Sequence, residues 1–183
     1  AMVGIDAVFH LAAIVGFPAC RRDPKLAEEV NVGGTQNVLK CLGARKLIYP
    51  STDSLYGEAL RYRTDNLQLV TEESPIQPIT EYGHTEAEAE RLILENRGNV
   101  VLRLATSFGF SPRLRLDLLI NDFMYQAIKR NYIVIYEANF HRAFVHLQDI
   151  ADAMLFALYR YEEMKDQVWN VGNPSLNLSK KQV

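Results

Sequence analysis

Residues 51–57 read Ser-Thr-Asp-Ser-Leu-Tyr-Gly, and residues 82–86 read Tyr-Gly-His-Thr-Glu. A hydroxyl beside a phenol is a device for moving a proton. Thr52 can hold a substrate oxygen and shorten the path to Tyr82, which takes the proton as general base. Ordinary tyrosine titrates near ~10, so such a base needs help to work at neutral pH. A cation four residues on would share a helix face with Tyr82, but that position holds Glu86. A unit charge ~6 Å away at an effective dielectric of ~20 is worth roughly 2.8 kcal/mol, about two pKa units. Exchanging cation for anion reverses the sign, a swing of up to roughly four units before screening. The expected catalytic set is Thr52 and Tyr82, with Asp53 beside them and Glu86 acting against the base.

The elements that must position these residues alternate between strand and helix. Ala7–Ala12 is a short apolar run with β-branched and aromatic members, hence a buried strand. Asp23 caps and Pro24 opens a helix that carries Leu26, Val30, Val38 and Leu42 and stops at Gly43. Lys46–Pro50 is a strand, and a polar loop runs to Pro78. Glu81–Glu95 favours helix, with Ala87, Leu92 and Ile93 on its core side. Asn99–Ala105 is a strand, Leu116–Lys129 a helix, Tyr132–Tyr136 and Ala143–Leu147 strands, Asp149–Tyr159 a helix, and Val168–Val171 a last strand. Strands separated by helices imply an α/β fold, a parallel sheet with helices on both faces. Ligands gather at the carboxyl ends of such strands. Here those ends are 11–16, 51–57 and 106–112, all rich in small and hydroxyl residues.

The bulk of the sequence excludes other classes. A net charge of −2 over 183 residues argues against a nucleic-acid partner. The pairs Arg21-Arg22 and Lys129-Arg130 read as solvated ends of helices. The apolar run from Ala7 to Cys20 is too short to cross a bilayer, so no membrane partner is expected. Cys20 and Cys41 stand alone and read as reduced thiols of a cytoplasmic protein. His141 and His146 lie five apart on a strand, on opposite faces, so no metal site is expected. Tyr125…Lys129 and Tyr161…Lys165 repeat the spacing of a tyrosine-lysine pair but read as helix-surface pairs. Glu86, Glu88 and Glu90 read as a solvated helix face rather than an acid-base pair.

Six segments, in order, carry a resemblance. They are Asp6–Ala13, Asn31–Thr35, Ser51–Gly57, Tyr82–Thr85, Leu102–Gly109 and Arg142–Asp149. Together they resemble the extended short-chain dehydrogenase/reductases, specifically the NAD-dependent epimerase/dehydratase family of nucleotide-sugar enzymes, and they span essentially the whole chain. The resemblance implies a Rossmann-like sheet, apparently lacking its first strands and most of a small C-terminal substrate lobe. It divides the chain into a partial dinucleotide-binding part (1–110), a substrate-lobe segment (111–147) and a return to the first domain (148–183). The family's glycine-rich pyrophosphate turn has no counterpart in this sequence, and the chain is expected to be the middle of a longer protein.

The resemblance also implies roles. NAD or NADP is the cofactor and a nucleoside-diphosphate sugar the substrate. Leu11, Ala12, Ala13, Asn31, Ser51, Tyr82 and Thr106 would line the cofactor. Arg113, Asn121 and Arg142 would meet the sugar nucleotide, Arg142 at its phosphates. In the family reaction a sugar carbon gives up a hydride while the tyrosine takes the hydroxyl proton, and the keto sugar is then re-reduced, dehydrated or released. Dehydratases of the family carry Asp-Glu after the threonine. This chain has Asp53-Ser54, which favours epimerisation or simple redox over dehydration. A homodimer through helices at about 24–42 and 81–95 follows by the same analogy. The alternative is a non-catalytic dinucleotide or sugar-nucleotide binding protein, because Glu86 occupies the lysine position.

Overall fold

A computed structural model describes residues 3–57 and 70–183. Its centre is a four-stranded parallel sheet in the order β1 (Ala7–Phe9), β2 (Lys46–Thr52), β3 (Asn99–Leu104), β6 (Gln167–Val171). Apolar side chains alternate between its faces, as the two-residue period of a strand requires. Ile48, Val100 and Leu102 point to one side and meet Ile150, Met154 and Ala157 of α6 (Leu147–Tyr159) with Tyr161 and Met164 of α7 (Tyr161–Met164). Leu47, Tyr49 and Val101 point to the other side and meet Leu42 of α3 (Gly34–Leu42) with Ala89 and Ile93 of α4 (Glu81–Glu95). Strands covered on both faces read as near-continuous apolar runs, as Lys46–Tyr49 and Val100–Leu102 do.

The expected helix from Pro24 is interrupted. Asp23 caps α2 (Pro24–Glu28) by accepting from the Leu26 amide at 3.0 Å, then a single π turn spans Glu29–Gly33 before α3 begins. That turn carries the buried Asn31. A short α1 (Phe17–Arg22) precedes it, unforeseen from the sequence. Its last-turn arginines, Arg21 and Arg22, and those of α5 (Leu119–Arg130), Lys129 and Arg130, do sit at helix ends.

A second, small sheet joins β4 (Thr106–Phe108), β5 (His141–His146) and β7 (Asn177–Ser179), with β4 parallel and β7 antiparallel to β5. The predicted strand at Tyr132–Tyr136 does not form. Both edges of β5 are already taken by β4 and β7, and an apolar run with no edge to pair with stays irregular. Tyr161 also departs from its expected surface position. It is buried, its hydroxyl accepts from the Leu47 amide at 3.0 Å and donates to the Gly98 carbonyl, and so it braces two strands of the sheet.

Candidate active site

Thr52 ends β2 at the carboxyl side of the sheet and caps the 3-10 turn Asp53–Tyr56 that follows. Its Oγ1 accepts from the Ser54 amide at 3.1 Å, which leaves its own proton free to be donated. The acceptor it meets is the Tyr82 phenol. Two glycines make the approach possible. At Gly57 (φ +39°) a Cβ would sit 1.9 Å from the Gln77 carbonyl oxygen, so only glycine lets residues 77–78 press against the turn. At Gly83 a Cβ would lie 3.0 Å from Pro78 Cβ and 3.2 Å from the Ser54 carbonyl oxygen. Thr80 caps α4 by accepting from the Gly83 amide at 3.0 Å. The first turn of α4 is thereby seated directly on the Thr52 turn.

Burial raises Tyr82 above the ordinary phenol range, the Glu86 carboxylate raises it further, and Asp53 adds to both; the Thr52 hydrogen bond and the Arg115 guanidinium oppose them. Glu86 is 2 % exposed. Its Oε2 accepts from the Tyr49 hydroxyl at 2.7 Å, while its buried Oε1 has no partner. Burial pushes its carboxyl up to about 7; the Tyr49 hydrogen bond pulls it down and the neighbouring Glu90 carboxylate pushes it up.

One turn further along α4, Glu90 is buried in a different setting. Arg103 of β3 donates to it through Nε at 3.1 Å and Nη2 at 2.5 Å, and Ser51 donates its hydroxyl to Glu90 Oε2 at 2.7 Å. Arg103 Nη1 donates onward to Tyr56 Oη at 2.8 Å, and Tyr56 donates to Asn170 Oδ1 at 2.7 Å. The solvated carboxylate face expected on α4 is therefore overturned. Glu86 and Glu90 point inward, and only Glu88, paired with Arg91 at 2.6 Å, is turned toward solvent. Of the expected core residues Ile93 is fully buried, while Ala87 and Leu92 are partly so.

The other sequence-derived site residues are placed as follows. Leu11 and Ala12 are exposed at the carboxyl end of β1, and Ala13 is half-buried. Asn31 is buried with its amide committed. Its Oδ1 accepts from the Ile14 amide at 2.7 Å, and its Nδ2 donates to the Ile14 carbonyl at 3.1 Å and to Thr85 Oγ1 at 3.0 Å. Asn31 therefore clamps the loop after β1 onto α4. Ser51 is likewise held by Glu90, and Thr106 is half-buried in β4. Asn121 donates to the Arg115 carbonyl at 2.9 Å and accepts from the Gly109 amide at 3.3 Å, so it fixes the segment before α5. Arg113 is exposed. Arg142 is exposed and lies over the Phe140 ring, 5.3 Å from its centroid.

Sequence reasoning missed Tyr49, Glu90, Arg103 and Arg115. The sheet register sets Ser51 opposite Arg103, and nothing in a linear reading aligns two residues 52 apart. A hollow of about 400 Å³ lies away from Tyr82, between α5 and Tyr132, Val134, Tyr136 and Lys180. The Thr52–Tyr82 pair is set instead at the rim where the strands end.

A doubly covered parallel sheet with a threonine-tyrosine proton-transfer pair at its carboxyl edge is the class that fold and geometry define. The chain belongs to the NAD dependent epimerase/dehydratase family, whose model matches residues 1–172. It is 30% identical to the UDP-glucuronate 4-epimerase of Thermodesulfobacterium geofontis over 164 residues, 84% of this chain and 48% of that protein. It is 27% identical to a putative UDP-glucose 4-epimerase of Methanocaldococcus jannaschii, over 92% of this chain and 55% of that one. Among solved structures it superposes on the Bacillus cereus UDP-glucuronic acid 4-epimerase in complex with UDP-glucuronic acid and NAD at a TM-score of 0.80. Identity there is 27%, covering 94% of this chain and 55% of that one. RMD from Pseudomonas aeruginosa, complexed with NADPH, matches at 0.76 and 26% identity, covering 91% of this chain and 60% of that one. The chain thus spans about half the length of these relatives. Among the described residues no helix is long and apolar enough to cross a membrane.

Proposed function

We propose that this chain is the catalytic-site portion of an NAD(P)-dependent epimerase, or a closely related oxidoreductase, acting on a nucleoside-diphosphate sugar. The observation that carries the reading is the Thr52 hydroxyl hydrogen-bonded to the Tyr82 phenol at the carboxyl edge of a parallel sheet. The residues fit a dinucleotide in part. The exposed Leu11–Ala12 edge, held in shape by the Asn31 clamp on Ile14, offers backbone at the strand end where such a cofactor lies. The fit is incomplete at Glu86, whose ionised carboxylate offers no donor to a ribose hydroxyl.

Bound NAD or NADP supplies a hydride acceptor and donor. The chain supplies the proton transfer and the orientation. Thr52 holds the sugar hydroxyl and Tyr82 accepts its proton as the hydride leaves the same carbon; the proton returns to the sugar oxygen when the keto group is reduced. The two donors on Thr52 Oγ1's surroundings divide the work: the Ser54 amide orients the oxygen, and the Thr52 proton lowers the energy of the tyrosinate. Ser54 follows Asp53 and carries no basic group for removing a carbon-bound proton, so epimerisation or redox is favoured over dehydration. Arg142 and Arg113 are the exposed cations assigned to the nucleotide's phosphates, and the protein is assigned to the cytoplasm as a homodimer.

A second reading rests on a specific observation. Glu86 is buried beside Tyr82 and raises it, as a cation would not. This favours a protein that binds a dinucleotide or a sugar nucleotide without turning it over. The full-length protein, with Glu86 and as Glu86→Lys, separates the two when nicotinamide absorbance and sugar interconversion are followed over a panel of nucleotide sugars. Turnover that is lost in Tyr82→Phe supports the enzyme. Ligand binding without turnover in both forms supports the second reading and removes the first.

A further inference from the structure

Position 86 cannot stabilise a tyrosinate, yet a guanidinium reaches the same site from a different part of the chain. Arg115 lies in the segment before α5. Its Nη2 would be 2.8 Å from a Cβ placed on Gly16, so the side chain crosses the backbone that connects β1 to α1, and it does so only because residue 16 is glycine (φ +91°). α1 packs on α4, the helix that carries Tyr82. Asp117 fixes the guanidinium through two contacts, Nε to Oδ1 at 3.1 Å and Nη2 to Oδ2 at 2.6 Å. Asn121 holds the Arg115 carbonyl and ties it to Gly109. Arg115 is close enough to Tyr82 for their charges to act on each other.

We propose that Arg115 is a positioning residue for the Tyr82 base, its guanidinium reaching over Gly16 to supply the positive potential that Glu86 withholds. The proposal deepens the reading of Tyr82 as the base and rests on it. The groups that face Tyr82 are Thr52 from β2, Asp53 from the turn after it, Glu86 from its own helix and Arg115 from the segment before α5; Tyr49 stands behind Glu86 as its hydrogen-bond donor. Two of these are carboxylates, and Arg115 is the cation set against them. The arrangement differs in kind from a lysine on the helix. The cation comes from the segment assigned to substrate binding, so the base is completed only when that segment is seated on Gly16.

The test uses the full-length protein with NAD bound and an acidified fluorotyrosine at position 82, whose ionisation is followed by fluorine NMR. Arg115→Gln is expected to raise the midpoint by about one pH unit, Arg115→Lys to restore most of that change, and Glu86→Gln to lower the midpoint. With natural tyrosine, Arg115→Gln is expected to lower kcat and move the pH profile with little change in KM. Side-chain exposure of 34% at Arg115 leaves folding of these variants intact. A midpoint unmoved by Arg115→Gln but lowered by Glu86→Gln overturns the proposal and leaves the base in place. A rise in KM with an unmoved midpoint overturns it too, because Arg115 then binds a substrate anion instead. Full turnover in Tyr82→Phe removes the base itself and the proposal with it.

Discussion

Glu86 and Glu90 occupy one face of the same helix a single turn apart, and both are almost fully buried. Their surroundings differ sharply. Glu90 is met by a guanidinium through two nitrogens and by the Ser51 hydroxyl. Glu86 has one phenol on one oxygen and nothing on the other. A buried charge that is paired and hydrogen-bonded tolerates loss of water, and one that is not shifts its pKa and holds its proton. The rear of α4 is thus a completed strut between helix and sheet. Its front, beside Tyr82, is left unbalanced, as polar groups at reacting sites often are.

Breaking the strut is the largest effect expected. Glu90→Gln leaves Arg103 buried at 4% exposure without its counter-charge. Loss of one partner of such a pair costs about 3–5 kcal/mol, read as a lower denaturant midpoint with unchanged slope. The double substitution Glu90→Met with Arg103→Met is expected to recover most of that loss, since no charge is then stranded. If Glu90→Gln unfolds at the same denaturant concentration as the parent, the contrast between the two ends of α4 does not exist.

The front of the helix responds in the opposite sense. With the Glu86 carboxyl at about 7 in the fold against 4.5 in the unfolded chain, the folded state holds a proton that the unfolded chain releases in that window. Stability from this group is full below pH 4.5 and is lost as pH rises through 7. Above pH 7 the charged form is forced on the fold at an expense of about 3 kcal/mol. Glu86→Gln carries no proton to lose. It is expected to be more stable than the parent by about that amount at pH 8 and to match it near pH 4.5, as melting temperatures across the range would reveal.

Tyr49 sharpens the same contrast at smaller scale. Tyr49→Phe removes the donor from Glu86 Oε2, so both carboxylate oxygens are then orphaned. A loss of about 1–3 kcal/mol at pH 8 is expected, shrinking as the pH falls and the carboxyl takes up its proton. A loss that stays constant with pH would mean that Tyr49 acts by packing alone and that Glu86 is compensated by some other route.

Much of this was legible in the chain, and the residues show where legibility stops. Thr52 and Tyr82 were found because their types and the helix that carries Tyr82 are local signals, and α4 begins and ends where its Thr80 cap and its composition set it. The alternation of strands and helices gave the covered parallel sheet. The inward glutamates were misread because polarity ordinarily marks the solvent face, and their partners Tyr49 and Arg103 lie on strands that only the tertiary fold brings beneath α4. Tyr132–Tyr136 looks like a strand in isolation, but pairing needs a free edge, and β5 has none. Asn31 was placed near the cofactor by resemblance; its hydrogen bonds to Ile14 and Thr85 are invisible in a linear pattern because a π turn re-aims the helix that bears it.

The smallest effect on stability tests whether the front of α4 is tuned for position rather than for strength. Gly83→Ala adds a methyl 3.0 Å from Pro78 Cβ, 3.2 Å from the Ser54 carbonyl oxygen and 3.3 Å from Thr80 Oγ1. These contacts are tight enough that the helix start must shift by a few tenths of an ångström. Alanine is the better helix former by about 1 kcal/mol, which offsets the crowding, so the unfolding midpoint is expected to change little. Turnover is a different matter. The displaced turn carries Tyr82 away from Thr52, and misplacement on the ångström scale in a reacting pair lowers rates by up to about a hundredfold, so a loss of roughly tenfold in kcat is expected for this smaller shift. Unchanged kcat in a stably folded Gly83→Ala would show that the close seating of α4 on the Thr52 turn serves packing alone. The front of the helix would then be no more exacting than its rear.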